Sequence, residues 1–432
     1  MKRFLILLLF IGCETDKNEL DAPDFLFEKP QAVISKMTRG INIGNTLEPP
    51  QVGEWNNGFI SEHFFDDYVT AGFNTIRIPV RWDKHTLADF PFTVSETWLD
   101  TVEQVIDWGL NRNLFLIINA HHDWWLVNNY DSPNTRQRFH AIWTQIASRF
   151  KNKSPQLLFE IINEPHGMSQ ENTDELNKDI LNIIRQDNPQ RIVIYGGHSW
   201  SNSDHLISAA KLNDEYVIGY FHSYDPWEFA GKGNGLWGSD YDISQIKSKF
   251  DAVSVWSKNN NIPVIISEFG AIHDCEYNSR MLHYFTYVKE AVKNGFAFQA
   301  WDDGGQFKIY ERESRQWPEV KDILIHTYSD SPENLKVQYI NDTQAYLTWK
   351  NNNNQCSKII IEKRMDSPFF ESIAELDSGF SEYIDSSSGV VNSTYRVISI
   401  CENNIRKHSN PFKAVSYTHL RAHETRHDLV CR

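Results

Sequence analysis

Two glutamates stand where short apolar runs end: Glu164 in Ile162-Asn163-Glu164-Pro165 and Glu268 in Ser267-Glu268-Phe269-Gly270. A carboxylate closing a hydrophobic run is costly to bury unless its charge is used there. A facing pair suits cleavage of a glycosidic bond. One acid protonates the departing oxygen while the other carboxylate attacks the carbon or activates water. Polar and aromatic side chains mark other run ends too. Arg77 lies within Thr75–Val80 and could hold an attacking carboxylate ionised. His121, His122 and Asp123 follow Leu114–Asn119, and Asn163 precedes the first glutamate. His222 and Tyr224 close the run from Val217, and Trp301 ends Gly295–Trp301, where an indole offers a platform to a sugar ring. Each alone could be a structural residue; their recurrence at one end of six runs favours a shared site.

A metal-dependent hydrolase is the rival use, with His121, His122, Asp123 and His222 as ligands. Against it, no His-x-His pair follows the first run and no lysine closes the fourth or sixth. There is no Gly-x-Ser-x-Gly elbow or Walker loop either. Neither a metal nor another cofactor is expected.

The elements that must position these residues alternate regularly. Eight apolar runs are Arg39–Gly44, Thr75–Val80, Leu114–Asn119, Leu157–Asn163, Arg191–Tyr195, Val217–His222, Pro263–Glu268 and Gly295–Trp301. Most are apolar throughout, as strands buried on both faces of a parallel sheet are. Amphipathic stretches such as Thr97–Asn111, Thr135–Phe150, Thr173–Asp187, Ile243–Asn259 and Ser279–Asn294 lie between them. The spacing predicts an α/β fold, a (β/α)8 TIM barrel over residues 31–328, whose site collects at the C-terminal ends of the strands. A doubly wound sheet fits less well, since no glycine fingerprint follows the first run.

Beyond a linker at 329–332 the runs become short and turn-bounded: Leu335–Tyr339, Ala345–Trp349, Lys358–Lys363, Phe370–Glu375, Glu382–Asp385 and Thr394–Cys401. They predict a small all-β immunoglobulin-like sandwich over 333–415. Trp349 and the Tyr395-Arg-Val397 stretch make it similar to a fibronectin type III domain. A disulfide between Cys356 and Cys401 suits such a unit in an exported protein.

The larger region, Lys36 to Tyr328, resembles glycoside hydrolase family 5, the cellulase family. The motifs that carry the resemblance are Arg39-Gly-Ile-Asn-Ile-Gly-Asn-Thr46, Gly72-Phe-Asn-Thr-Ile-Arg77-Ile-Pro-Val80, His121-His122-Asp123, Asn163-Glu164-Pro165, His222-Ser-Tyr224, Glu268-Phe-Gly270 and Trp301. The resemblance implies a retaining double displacement. Glu164 would be the general acid/base, assisted by Asn163 at the sugar 2-hydroxyl, and Glu268 the nucleophile, held by Arg77 and Tyr224. His121 and His222 would line the subsite where the bond breaks. Glu164 is expected to be desolvated and protonated, Glu268 to be charged beside Arg77, and the carboxyls to lie about 5 to 5.5 Å apart.

Several aromatics exceed what catalysis needs. Pro49, Pro50 and Trp55–Gly58 enlarge the first loop, His122, Trp124 and Trp125 follow the third run, and Trp227 and Trp237 follow the sixth. They could line distal sugar subsites of an open cleft or cap a shorter pocket. The sequence therefore reads as an endo-acting β-1,4-glucanase whose partner is a β-linked polysaccharide or oligosaccharide. The alternatives are a mannanase, xyloglucanase or mixed-linkage glucanase of the same mechanism, or a non-catalytic surface glycan-binding lipoprotein.

Composition agrees with a neutral polymer as partner. The 57 acidic against 42 basic residues, a formal charge of -15, disfavour nucleic acid, which needs a basic footprint. The 14 Trp, 17 Tyr and 26 Phe suit sugar stacking, although barrel cores also use aromatics. Residues 1–13 resemble a lipoprotein-type signal: Lys2 and Arg3, the apolar Phe4–Ile11, then Gly12 and Cys13, the candidate lipidation site. A polar tether over 14–30 would follow. The protein is thus expected to be exported, at a bacterial surface or outer membrane or else secreted or periplasmic, and monomeric, meeting a membrane only through that anchor. Residues 416–432 resemble translated adapter or vector sequence. Their His419, His423 and His427 suggest a metal tract by spacing alone, and no function is assigned to them.

Overall fold

The computed structural model describes residues 25–414 except 57, 353, 354, 366 and 388. The expected signal with Cys13 and the histidine-bearing tail lie outside the described residues. Within them the sheet runs β1 (Gly40–Asn42), β2 (Thr75–Ile78), β3 (Phe115–Asn119), β4 (Leu157–Glu160), β5 (Val193–Tyr195), β6 (Val217–Ser223), β7 (Val264–Phe269) and β8 (Ala297–Phe298), each beside the next. All seven pairings are parallel. Ile41 bridges to Ala300, and Asn42 N–H donates to Ala300 O at 2.8 Å, bringing β8 round to β1. A TIM-like barrel results.

The outer helices form where the apolar spacing predicts, each with a local stop or start signal. Ser239 and Asp242 make a reciprocal capping box at Asp240–Asn260. Gly295, at φ 71°, ends Tyr277–Asn294 in the left-handed conformation that glycine adopts without a Cβ penalty. The barrel interior has two characters. Its lower layers are apolar, with Ile117, Leu158, Ile194, Ile218 and Ile265, and the helix Pro30–Lys36 packs Val33 and Ile34 against them. The upper layer holds fully buried Asn42, Arg77, Glu160 and Gln299. Burying charge in that layer costs desolvation energy, which its hydrogen bonds must offset.

The strands are shorter than several of the expected runs, and two of these boundaries bear on the site. β4 ends at Glu160, so Glu164 sits beyond the strand rather than closing it. Ladder-like bonds nevertheless continue, from Ile161 N to Ile194 O at 3.1 Å and from Asn163 N to Ala120 O at 2.9 Å. β8 likewise ends at Phe298, and Trp301 is held by its N–H on Phe269 O at 2.9 Å. Short helices at Trp124–Val127 and Trp227–Ala230 build part of the mouth, and the apolar spacing gives no sign of them.

The C-terminal part forms two antiparallel sheets. One has β9 (Glu333–Asn341), β10 (Gln344–Lys350) and β13 (Glu382–Asp385). The other has β11 (Lys358–Arg364), β12 (Glu371–Asp377), β14 (Thr394–Ile400) and β15 (Arg406–His408), with β16 (Phe412–Lys413) on β14. Trp349, Tyr395 and Val397 are in their shared core, and Cys356 is disulfide-bonded to Cys401. Arg396 reaches back to Asp322 of the barrel at 2.6 Å, and Asn278 pairs with the Lys413 backbone. No helix among the described residues is long and apolar enough to cross a membrane.

The β1–β8 seam is tightly packed. A Cβ on Gly40 would lie 2.2 Å from the Phe298 carbonyl oxygen, a backbone atom that cannot swing away. Gly40→Ala should therefore cost about 3 kcal/mol, as overpacking does. Thermal unfolding would show it as a lowered Tm, and an unchanged Tm would mean the seam is looser than its geometry.

Candidate active site

A cleft of about 730 Å³ opens at the C-terminal ends of the strands. At its floor one side chain organises the rest. Arg77, fully buried on β2, places its five N–H groups on five acceptor atoms. Nε meets Glu160 Oε2 at 2.9 Å and Nη2 meets Glu160 Oε1 at 2.5 Å. Nη1 reaches Asn42 Oδ1 at 2.9 Å and Glu268 Oε1 at 2.6 Å, and Nη2 also reaches Asn163 Oδ1 at 2.7 Å. Burial alone would lower the proton affinity of Arg77, but Glu160 and Glu268 outweigh it and raise it.

Glu268 receives a second donor, Tyr224 Oη, at 2.9 Å on Oε2. Burial and Glu268 keep the Tyr224 phenol far above its ordinary range, so it remains a donor. Glu164 has fewer partners. His222 Nδ1 lies 2.8 Å from its Oε1, and His222 Nε2 lies 3.0 Å from Ser267 Oγ. A register shift in the β6–β7 ladder, with Ser267 of β7 as the extra residue, sets His222 opposite Glu268, the re-aiming of a side chain that bulges provide. Carboxylate oxygens of Glu164 and Glu268 and a His222 nitrogen all lie within 4.8 Å of one another. That fits direct attack by one carboxylate and leaves less room than the roughly 6.5–9.5 Å of an inverting pair.

Desolvation pushes the Glu164 carboxyl up to about 7, with Arg77 and His166 opposing it. Burial also raises Glu268, against His222 and Arg77. Glu268 has a charged and a phenolic donor while Glu164 has neither, so Glu268 is the member of the pair that ionises first. Burial drives His222 and His122 down to about 4, and His121 well below its ordinary value. These imidazoles are neutral at working pH, which leaves the proton donation to Glu164.

The remaining sequence-selected residues divide. His121 stacks parallel to Trp301, ring centres 5.9 Å apart, and meets His122 edge-on at 4.4 Å. His122, left-handed at φ 61°, meets Trp55 in turn at 5.5 Å. Trp124 and Trp227 line the cleft and are 54% and 52% exposed, which leaves their faces free for a ligand. Trp125 does not reach the cleft. Its indole turns inward against Phe139 and Arg138, with Nε1 on Asp123 Oδ1 at 3.2 Å. Neighbours on a helical turn point about 100° apart, so only one of the two tryptophans can face the sugar. Trp237, the other ambiguous indole, is buried against Phe229 and His283.

Sequence reasoning passed over several residues. Glu160 is the main one, a wholly buried acid in the apolar run Leu157-Leu-Phe-Glu160-Ile-Ile, where the burial argument applies most strongly. Trp200 and His166 also line the cleft, stacked at 5.3 Å, with Trp124 edge-on to His166. The position of Trp200, just past the fifth apolar run, was the signal for it. Among the described residues, two groups could supply cation ligands: Glu48, His121 and His122, and the catalytic set Glu164, His222 and Glu268. The rival set of His121, His122, Asp123 and His222 is not brought together as one such group. Both Glu48 oxygens already accept backbone N–H groups, from Asn45 and Thr46.

Residues 35–305 match the cellulase model, glycosyl hydrolase family 5. The chain belongs to glycoside hydrolase family 5. It is 44% identical over 293 residues to Endoglucanase H of Acetivibrio thermocellus, covering 66% of this chain and 32% of that protein. To Cellulase/esterase CelE of the same organism it is 32% identical over 68% of this chain and 40% of that one. The family 5 chain thus spans only about a third to two fifths of these relatives' lengths. A tri-modular subfamily 4 endo-β-1,4-glucanase from Bacillus licheniformis, solved with cellotetraose, superposes with a TM-score of 0.75 at 30% identity, over 89% of this chain and 79% of that one. Thermotoga maritima Cel5A, solved with mannotriose, gives 0.66 at 32% identity, over 68% and 100%.

The contrast between the carboxyls sets the pH profile. Glu164 must be protonated to donate, so kcat/KM should fall as pH rises through about 7. A pH series on a soluble substrate would test this. Full activity persisting two units above that limb would remove Glu164 from the acid role.

Proposed function

We propose that this family 5 protein is a retaining, endo-acting β-1,4-glucanase of the cellulase type. The observation that carries the reading is the Glu164–Glu268 pair within 4.8 Å, one member held by Arg77 and Tyr224 and the other pushed up to about 7. In the first step a Glu268 oxygen bonds to the anomeric carbon as the bond to the leaving oxygen breaks, and Glu164 gives that oxygen its proton. In the second, water passes a proton to Glu164 and displaces Glu268, restoring both groups. Asn163 commits its Oδ1 to Arg77, which turns its amide N–H groups toward a sugar hydroxyl.

Two aromatic rows support internal cleavage. Trp124, His166 and Trp200 form one, joined to the acid through His166 Nδ1 at 3.0 Å from Glu164 O. Trp227 and Phe307 pack on Tyr224 and so stand beside the nucleophile. Sugar platforms next to both carboxylates suit a chain threaded past them. A mannan-cleaving reading has one specific support, the similar Thermotoga protein solved with mannotriose. Lys2, Arg3, Phe4–Ile11 and Cys13 support export, with lipidation at Cys13, and the Cys356–Cys401 disulfide suits an oxidising compartment. The core positions of Trp349 and Tyr395 support a fibronectin type III-like sandwich acting as a stabilising module.

Product release from soluble β-glucans, xyloglucan and mannan, with wild type beside Glu268→Gln, tests the reading. Wild type should cut a β-1,4-glucan into mixed oligosaccharides whose new reducing ends are β, by proton NMR. The variant should lose roughly a thousandfold or more in kcat. Cleavage of mannan alone would replace the substrate and keep the mechanism. An inert wild type that still binds glycan would favour the non-catalytic reading.

A further inference from the structure

Glu160 is a charged group that the two-carboxylate mechanism does not use, and it is as deeply buried as any in the protein. It lies on β4 beside Asn119 of β3 and Ile194 of β5. Its carboxylate takes the two-pronged fork of Arg77 and a third hydrogen bond, from Asn119 Nδ2 at 2.9 Å on Oε1. Arg77 is therefore shared between two carboxylates, and the shared one that cannot reach substrate holds the more rigid, bidentate geometry.

We propose that Glu160 is a positioning residue for the reaction: it locks the Arg77 fork that aims Glu268 and Asn163, and it shares the Arg77 charge so that Glu268 stays reactive. This rests on the retaining reading above. Charge accounting shows the need for it. At rest Glu160, Arg77 and Glu268 sum to one negative charge. When a Glu268 oxygen bonds to the anomeric carbon, Glu164 gives its proton to the leaving oxygen, so the negative charge passes from Glu268 to Glu164. The residual Arg77–Glu160 pair is then neutral. Without Glu160, forming the glycosyl ester would leave the buried guanidinium with no carboxylate hydrogen-bonded to it and only the newly ionised Glu164 at longer range, and the resting nucleophile would hold the full attraction of Arg77.

The groups facing Glu268 are Arg77 from β2, Glu164 after β4, His222 from β6 and Tyr224 after it. Glu160 also acts on Glu164, raising it, and on His222 and Tyr220. Replacing Glu160 by its neutral isostere should therefore stabilise the ionised forms of both catalytic carboxyls. Both limbs of the bell should move to lower pH together.

The experiment is a kcat and kcat/KM pH profile of wild type, Glu160→Gln and Glu160→Asp, on whichever glycan the wild type cuts. Circular dichroism and Tm serve as the folding control. For Glu160→Gln the expected result is a downward shift of both limbs by about one unit and at least a tenfold loss in kcat, with KM little changed. Glu160→Asp, which keeps the charge but retracts it, should lose kcat with a smaller shift. A folded Glu160→Gln with wild-type limbs would overturn the proposal. Should Glu160→Gln fail to fold, Glu160→Asp decides alone: wild-type kcat and limbs would overturn it. An inert wild type would instead count against the retaining reading itself.

Discussion

One guanidinium sets the terms for this active site. The five N–H groups of Arg77 each find an acceptor, and those acceptors sit on three different parts of the barrel: Asn42 on β1, Glu160 and Asn163 on or after β4, and Glu268 on β7. A buried ion pair is a weak source of stability, because desolvation offsets most of the attraction, while loss of one partner costs roughly 3–5 kcal/mol. What Arg77 supplies is geometry. Its planar fork allows little freedom to the groups bound to it, so the nucleophile and Asn163 are aimed before any substrate arrives. Preorganisation of this kind places fixed dipoles where charge develops, with no reorganisation needed at the moment of reaction.

The rest of the barrel makes that cluster tolerable. Apolar layers below it, sealed by Val33 and Ile34, exclude water and lower the local dielectric, which strengthens each hydrogen bond in the cluster and raises the cost of leaving one unmade. The Arg77 cluster meets that demand, whereas the Gln299 side chain in the same layer has no hydrogen-bond partner among the described residues. Asn42 shows how it is met: its Oδ1 accepts from Arg77 while its Nδ2 faces the carbonyls of Ser267, Gln299 and Ala300. The same side chain joins the ionic cluster to the β1–β8 seam, so closure of the barrel and placement of the nucleophile are parts of one arrangement.

Much of this is legible from residue order. Burial on both strand faces makes parallel strands continuous apolar runs, and a barrel gathers the residues just past each run at one mouth. Glu164, Glu268, His222 and Tyr224 can therefore be grouped from sequence. The misreadings have local causes. Glu160 lies inside a run, where alternation between barrel interior and exterior is invisible because both are apolar. Trp125 groups with Trp124 in sequence because adjacency says nothing of direction until the turn is known to be helical. The pairing of His222 with Glu268 depends on a register shift for which the run Val217–Ser223 carries no mark. In the C-terminal sheets, by contrast, alternation is visible: Leu335 and Val337 are buried while Lys336 and Gln338 are exposed.

The least regular backbone in the mouth stands next to the acid. Ser199, Trp200 and Ser201 have φ of 52°, 56° and 52°, three consecutive non-glycine residues in a sparsely populated region that costs of order 1–3 kcal/mol at each position. Such a run persists only if its surroundings over-determine it, and the hydrogen bonds show how. Ser201 Oγ donates to Asn163 O at 3.0 Å and pairs with Tyr220 Oη at 2.8 Å, while Ser201 O accepts His222 N–H at 2.8 Å. Tyr220 Oη lies 2.5 Å from Ile162 O and 2.6 Å from Asn163 O, so it donates directly beneath Glu164. The strained turn thus links the backbone that carries the acid, the strand that carries His222 and the loop that presents Trp200 to the cleft. Relaxing it to ordinary helical or extended angles would break the bonds to the segment after β4 and to β6 at once, which is why strain at this point is compatible with a stable fold.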